Sequence, residues 1–298
     1  MSAAARHTYE YEVELGSDTA PSRVIRMTGH GRRVLEVGAG PGSITKHLIK
    51  SNKCDVVALE IDPTAIAKLK EFCPNIYSLD LNDENWPHAL AKEGKFDVVI
   101  AADVLEHVYN PLRTLNGMKS LLRDDGEIIL SLPHVGHCVI NACLLDEDFD
   151  YRDWGLLDKT HIRFFGVKNM NKLYADAGMA IVDAEFVVRT PRQTEFADRW
   201  SRLAPDAQRV LSSNPFGYVY QVVSKGKPSQ YASRNLDLLN VPVVIEDPEH
   251  KEMSVQSLMA PPGAQGLKAA LRASIAHRLS PGAKTRILAA AHKLGIRD

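Results

Sequence analysis

Beyond about residue 30 the chain alternates apolar runs of strand length with stretches of helical period. RVLEVG (33–38), DVVALEID (55–62), NIYSLDL (75–81), FDVVIAAD (96–103) and EIILSLP (127–133) predict five strands. The spans 43–50, 63–72 and 111–122 predict the helices between them, and Pro63 suits a first turn. Strands this continuously apolar, separated by helices, predict a parallel sheet covered on both faces. A further helix over 167–177 precedes AIVDAEFVV (180–188), and YVYQVVSK (218–225) follows a polar, helical stretch over 192–212. Two late strands joined without a βαβ unit predict that one inserts antiparallel.

Residues 134–165 fit neither period and are rich in His, Asp and aromatics. They follow the fifth strand, where open α/β sheets carry binding loops, and a loop of that length is functional more often than not. The expected organisation is an N-terminal arm and helix (1–30) and a main domain (31–225) with a substrate loop (134–165) and a helical insert (190–215). A linker or wrapping arm (226–263) and a basic helical extension (264–298) follow. In that extension Leu267, Leu271, Ile275 and Leu279 repeat at four-residue spacing among lysines and arginines, and Pro281-Gly282 breaks it into two helices. It reads as a hairpin docked on the domain or a sister subunit, or as an amphipathic anchor on anionic lipid.

Composition narrows the class. The 298 residues are 45% apolar and 24% charged, with a net charge of −1, which argues against bulk attraction to nucleic acid. Cys54, Cys73, Cys138 and Cys143 form no C-x-x-C pair and match no zinc spacing, so they read as reduced, packed thiols in a cytoplasmic protein. The first residues lack the apolar core of a signal peptide, and no apolar run is long enough to span a bilayer.

The chemistry concentrates at the first turn, Glu36-Val-Gly38-Ala-Gly40-Pro-Gly42. A dinucleotide site needs G-x-G-x-x-G to seat a diphosphate on a helix N-terminus. Here position 43 is serine, and Pro41 removes a backbone N–H that would help hold phosphate. Glu36 would repel a diphosphate and suits an amino group. Glu60 ends the second strand and can accept from both hydroxyls of a ribose; Asp80 ends the third and can accept from an adenine amino group; Asp103 ends the fourth. These carboxylates converge beyond the strand ends and call for an adenosine with an amino-acid tail and no phosphate. S-adenosylmethionine fits that description.

The motifs VLEVGAGPG, ALEID, LDLND, FDVVIAADVLEHV and DDGEIILSLP, in this order over residues 30–225, resemble those of the class I S-adenosylmethionine-dependent methyltransferases. The resemblance implies a Rossmann-like seven-stranded, mostly parallel sheet with helices on both faces and the last strand antiparallel. It also implies roles for individual residues. Gly38, Ala39 and Gly40 admit the methionine part, and Glu36 holds it. Glu60 binds the ribose, Ile61 packs on the adenine, Asp80 and Leu81 flank the base, and Asp103 and Val104 line the methionyl side.

A hydroxyl acceptor also needs its proton removed, and a positioned base contributes about 10²–10⁴-fold. His107 lies within a family motif. His134 and His137 follow the fifth strand; His134 is a candidate catalytic or substrate-binding residue, with loop hydrogen bonding as the alternative, and His137 is a candidate substrate contact. Many relatives carry asparagine in place of His134. In LLDKTHIRFF (156–165), Asp158 precedes His161 by three residues and is expected to orient it as the general base, titrating near pH 6–7. The alternative is that Asp158 and Thr160 brace the loop. Tyr151, Trp154, Phe164 and Phe165 are candidates to stack on a sugar ring, Asp148, Asp150 and Asp153 to accept from hydroxyls, and Arg163 to contact substrate. No paired-aspartate motif is visible, and no metal is expected.

LLDKTHIRFF, DFDYRDWG (148–155) and YEYEVELGSDTAPSRVIRM (9–27) further resemble a subgroup found among bacterial surface-glycan and sugar methyltransferases, some fused to glycosyltransferases. That resemblance implies O-methylation of a sugar or glycan-linked hydroxyl in polysaccharide biosynthesis. A phenol, quinone or other small metabolite is the alternative acceptor, and a non-catalytic cofactor-binding partner of a glycosyltransferase is the alternative of another class. Associations consistent with this reading are a glycosyltransferase partner, a homodimer and peripheral contact with the inner membrane through the C-terminal helices.

Overall fold

The computed structural model describes residues 9–245. The expected C-terminal helices, with the linker beyond 245, lie outside the described residues. Seven strands form one sheet among the described residues: β1 (Arg33–Val37), β2 (Asp55–Leu59), β3 (Asn75–Tyr77), β4 (Phe96–Ala102), β5 (Leu122–Pro133), β6 (Met179–Val188) and β7 (Val219–Pro228). The helices are α1 (Ala20–Thr28), α2 (Thr45–Lys50), α3 (Pro63–Leu69), α4 (Pro111–Ser120), α5 (Cys138–Leu145), α6 (Val167–Asp176), α7 (Ala197–Ser201) and α8 (Pro205–Ser212).

The strand order is β3-β2-β1-β4-β5-β7-β6. Strands β1 to β5 are parallel, and β7 lies antiparallel between β5 and β6, as the two late strand signals predict. Side chains alternate across this sheet. Leu35, Val37, Val99 and Ala101 face one core with Leu115 and Met118 of α4 and Met170 and Leu173 of α6. Val34, Val98 and Ile100 face the other, under Val24 and Ile25 of α1 and Leu48 of α2. By the same alternation Glu36 points into the α2 side.

Local details depart from the sequence pattern. Strand β3 ends at Tyr77, short of the expected 81, so Asp80 and Leu81 lie beyond it, and α3 ends at Leu69. Residues 138–145, within the stretch of no clear period, form α5; CVINACLL is apolar on nearly every side, so it shows no amphipathic period, and it packs in a satellite core with Leu156, Leu157, Phe196 and Trp200. Helix α4 stops at Ser120, and β5 starts at Leu122. The register then jumps from Phe96–Leu122 to Val98–Glu127, so 123–126 bulge out of the ladder. Strand β7 continues to Pro228, past the expected end at 225, because Lys227 and Pro228 still pair with Ala180 and Met179 of β6; Gly226 within it lies against the Tyr174 ring, where a Cβ would come within 2.3 Å.

After β7 the chain turns back along β6. Leu236 N donates to Ile181 O, Arg234 Nε to Val182 O, and Leu238 is fully buried in the larger core. Leu238→Ala is therefore expected to lower stability by about 2–5 kcal/mol, measured by urea denaturation. A change within ~0.5 kcal/mol, the range of surface substitutions, would show that this segment adds nothing to the core.

Candidate active site

The sheet order reverses between β1 and β4, and the carboxyl ends of β1, β2 and β4 open on one crevice. The turn after β1 enters it with Gly38 at φ +68°, where a Cβ would stand 2.6 Å from Val104 Cγ2. Only glycine lets the backbone pass here. Ala39 N bonds Leu59 O, tying the turn to β2. Glu60 then braces it, with one oxygen accepting from Gly40 N at 2.6 Å and the other from Ile61 N and Asp62 N at 2.8 and 2.9 Å.

The crevice is lined by acids, and each is held differently. Glu36 is buried and accepts from Thr45 Oγ1 at 2.6 Å. Burial, with the Glu60 charge adding to it, pushes its pKa up to about 8. Asp103 sits at φ +55°, a costly conformation for a non-glycine residue that marks functional positions. Its Oδ1 accepts from Ser131 Oγ at 2.9 Å, and both of its oxygens accept from Gln221 Nε2 at 2.9 Å, while burial raises its pKa. Asp80 stands apart, exposed in a turn where it accepts from Asn82 N. Ile61 is 58% exposed, an apolar face beside Glu60, and Leu81 is partly buried against the main core.

The N-terminal arm crosses this crevice. Tyr11 N donates to Ser43 Oγ, and the Tyr11 phenol lies near enough to Asp103 and Glu36 that both carboxylates, added to burial, raise its pKa. Lys46 pairs with Glu12 at 2.9 Å, Lys68 with Glu10, and the Tyr9 hydroxyl donates to Asp158 at 3.1 Å.

The predicted Asp158–His161 couple is not formed. Asp158 instead accepts from Thr160 N at 2.8 Å and Thr160 Oγ1 at 2.7 Å, because 158–161 closes as a tight turn. Thr160 Oγ1 in turn lies 3.0 Å from Nδ1 of His107, so Asp158 acts on His107 through a threonine. His161 Nδ1 is 3.3 Å from Leu156 O, and its Nε2 is 3.9 Å from Glu106 Oε1. Burial first, with the neighbouring His107, lowers its pKa to about 4, so the expected titration near pH 6–7 moves out of that range. Sequence reasoning missed Glu106 and Gln221. The first was visible only as part of DVLEHV, and the second lies on β7, 118 residues from Asp103.

His134 and His137 are buried and hydrogen-bonded to backbone. His134 Nδ1 bonds Val219 O at 3.1 Å, and His137 Nε2 bonds Arg189 O at 2.9 Å while its Nδ1 caps α5 at Val139 N. Burial pushes both pKa values down to about 4. His134 thus braces the loop against β7 and His137 braces it against the segment after β6, and neither belongs to the Glu106–His107–His161 group. Arg163 spends its guanidinium on the carbonyls of Ile162 and Tyr109. Tyr151 and Trp154 are 60% and 56% exposed and line an open cavity of about 450 Å³ with Asp150, Arg152, Asp153 and Lys159. The loop acids are already paired: Asp148 and Asp150 with Arg199, Asp150 also with Arg152, and Asp153 with Lys159. Phe165 is buried in the main core.

A family model described as a methyltransferase domain matches residues 13–184. The chain belongs to this family. The methyltransferase domain is also similar to the ubiquinone biosynthesis O-methyltransferases of Haemophilus ducreyi, at 29% identity over 106 residues, and of Salmonella paratyphi A, at 28% over 103. Each match covers 34% of this chain, and they span 45% and 42% of those proteins, so less than half the length of the curated relatives is matched. Among solved structures, a putative methyltransferase from Bacillus halodurans aligns over 70% of this chain and 98% of its own, with a TM-score of 0.48 and 14% identity. A SAM-dependent methyltransferase from Archaeoglobus fulgidus aligns over 71% and 95%, with a TM-score of 0.48 and 17% identity.

The buried carboxyl of Glu36 makes stability depend on pH in a definite direction. It keeps its proton up to about pH 8 in the folded chain but only to about 4.5 when unfolded, so the fold loses stability as pH climbs between these values. Glu36→Gln should remove that loss. Its stability relative to the parent is expected to rise by up to roughly 1.4 kcal/mol per pH unit between about pH 5 and 8, read from urea denaturation at each pH. A difference that stays level with pH would contradict this burial of charge.

Proposed function

We propose that this domain binds S-adenosylmethionine in the crevice and transfers its methyl group to a hydroxyl oxygen of a small-molecule or glycan-linked acceptor. The observation that carries the reading is the buried Glu36 carboxyl at the foot of the glycine turn, with Glu60 and Asp103 beside it and, among the described residues, no cationic side chain paired with it. A cation bound here would favour the ionised form of Glu36, which burial otherwise keeps protonated up to about pH 8, and a diphosphate would meet the carboxylates of Glu60 and Asp103. When bound, this cofactor supplies an electrophilic methyl on a sulfonium.

The chain's own residues then have three tasks. The glycine turn and Asp103 fix the methionyl end, Glu60 holds the ribose and Ile61 its base. Alignment for an in-line displacement supplies roughly 7–11 kcal/mol of barrier lowering. The hydroxyl proton is released beside Asp103, in the cluster of Glu106, His107 and His161, where His161 is neutral and offers the lone pair of Nε2.

For the acceptor, the exposed rings of Tyr151 and Trp154 around the open cavity support a sugar, whose apolar face stacks on aromatics. The names of the matched relatives support the second reading, a phenol or quinone precursor. A glycosyltransferase partner accords with the first.

Calorimetry is expected to show one S-adenosylmethionine bound and no response to NAD, with Glu60→Ala weakening the former by about tenfold or more, the worth of a hydrogen bond to a charged group. NAD binding in its place would remove the reading. Mass spectrometry of nucleotide-sugar, glycan and quinone-precursor pools, incubated with the chain and labelled cofactor, identifies the acceptor by the gain of one methyl. His161→Ala should lower that turnover about 10²-fold, and an unchanged rate would move proton release elsewhere.

A further inference from the structure

Behind Asp103, the turn Leu105–His107 carries a side chain that the rest of the fold leaves unsatisfied. Glu106 is 0% exposed, and neither carboxylate oxygen has a hydrogen-bond partner among the described residues. An unpartnered buried carboxyl is costly and rare in native proteins. Burial, with Asp103 and Asp158 nearby, raises its pKa well above the usual carboxylate range. Two imidazoles face it. The donor atoms of Glu106, His107 and His161 all lie within 4.8 Å of one another, and the two rings meet edge to face at 4.8 Å.

The tautomers follow from the partners. A carbonyl oxygen only accepts, so His161 Nδ1, facing Leu156 O, carries the proton. Thr160 Oγ1 gives its hydrogen to Asp158 and therefore accepts from His107 Nδ1, which also faces Thr160 O at 3.2 Å. Both Nε2 atoms are left as bare lone pairs. Metal-bound histidines are held in this way, with the second nitrogen donating to a carbonyl or a carboxylate-linked group. The sequence pattern hid the set, since Glu106 and His107 are adjacent but His161 lies 54 residues beyond His107.

We propose that Glu106, His107 and His161 form a binding site for a divalent transition-metal ion of the zinc, cobalt or iron(II) class. Two neutral imidazoles and one carboxylate suit these ions better than magnesium or calcium, which prefer all-oxygen shells. Ligand atoms sharing one zinc at about 2.0–2.2 Å stand ~3–3.5 Å apart, so binding draws the three inward by rotation of exposed-side torsions at half-buried His107. Three protein donors leave coordination open for water or an oxygen ligand. The expectation of no metal, made from the lack of paired aspartates, is thereby revised. That the open position would take the acceptor hydroxyl, whose proton would then pass to bulk water because the ion engages His161 Nε2 and leaves it no lone pair to act as the base, rests on the O-methylation reading; the binding of the ion does not.

The test uses the full, tag-free chain, stripped with a chelator and titrated with cobalt(II), whose visible absorption reports its ligands. One equivalent is expected to bind and to be displaced by zinc. Glu106→Gln and His161→Ala should each weaken binding by more than about tenfold, the loss that even an outer-shell change brings. Circular dichroism shows whether each variant folds, and His107→Ala, at a half-buried position, supplies the same readout if the buried variants do not. Absence of bound cobalt, or equal binding by folded variants, would overturn the site. Because no acceptor is present in this titration, failure to methylate any acceptor would remove the O-methylation reading and leave the cation site standing.

Discussion

Strand β1 runs parallel to both β2 and β4, and that pairing brings Glu36, Glu60 and Asp103 to one edge of the sheet. Like charges so placed would repel strongly in a low-dielectric crevice, and this repulsion, added to burial, keeps Glu36 protonated up to about pH 8. The fold answers with local donors: Thr45 for Glu36, three backbone amides for Glu60, and Ser131 with Gln221 for Asp103. None of these donors is a cation. The crevice thus keeps a demand for positive charge that hydrogen bonds alone do not meet, and every other feature of the site is arranged around it.

The arm over 9–13 leaves that demand unmet. It brings its own acids, Glu10 and Glu12, onto Lys68 and Lys46, and so leaves those lysines unavailable to the crevice carboxylates. Tyr9 and Tyr11 cover the mouth without adding a cation. Asp158 joins this arm to the loop, since it receives the Tyr9 hydroxyl on one oxygen and Thr160 on the other. The two sides of the site are therefore held by one carboxylate that has no direct bond to the imidazole it was expected to serve.

Much of this architecture was legible in the sequence because parallel, doubly covered strands read as apolar runs. RVLEV, DVVAL and FDVVIAA are such runs, and the acids after them stood out against that background. What was illegible depended on distant chain segments. The orientation of His134 is set by Val219 and that of His137 by Arg189, both on or beside strands far along the chain. Spacing of three residues suggested that Asp158 meets His161, but a carboxylate in a tight turn bonds the amide two residues on, and Thr160 took it. Helix α5 was hidden by its uniform apolarity, and Glu106 by the fact that nothing in a sequence announces a missing partner.

The position of β7 also governs the order in which the chain can be completed. Among the described residues β6 pairs with β7 and with no other strand, and β5 is the neighbour of β7 on its other side. As the chain emerges from synthesis, β5 has an open edge and β6 has no strand to join until 219–228 arrive and slot between them. The sheet is closed by its last segment, so a nascent chain that stalls before that point exposes a hydrophobic ladder to its neighbours, and protection of that edge falls to whatever binds the unfinished protein.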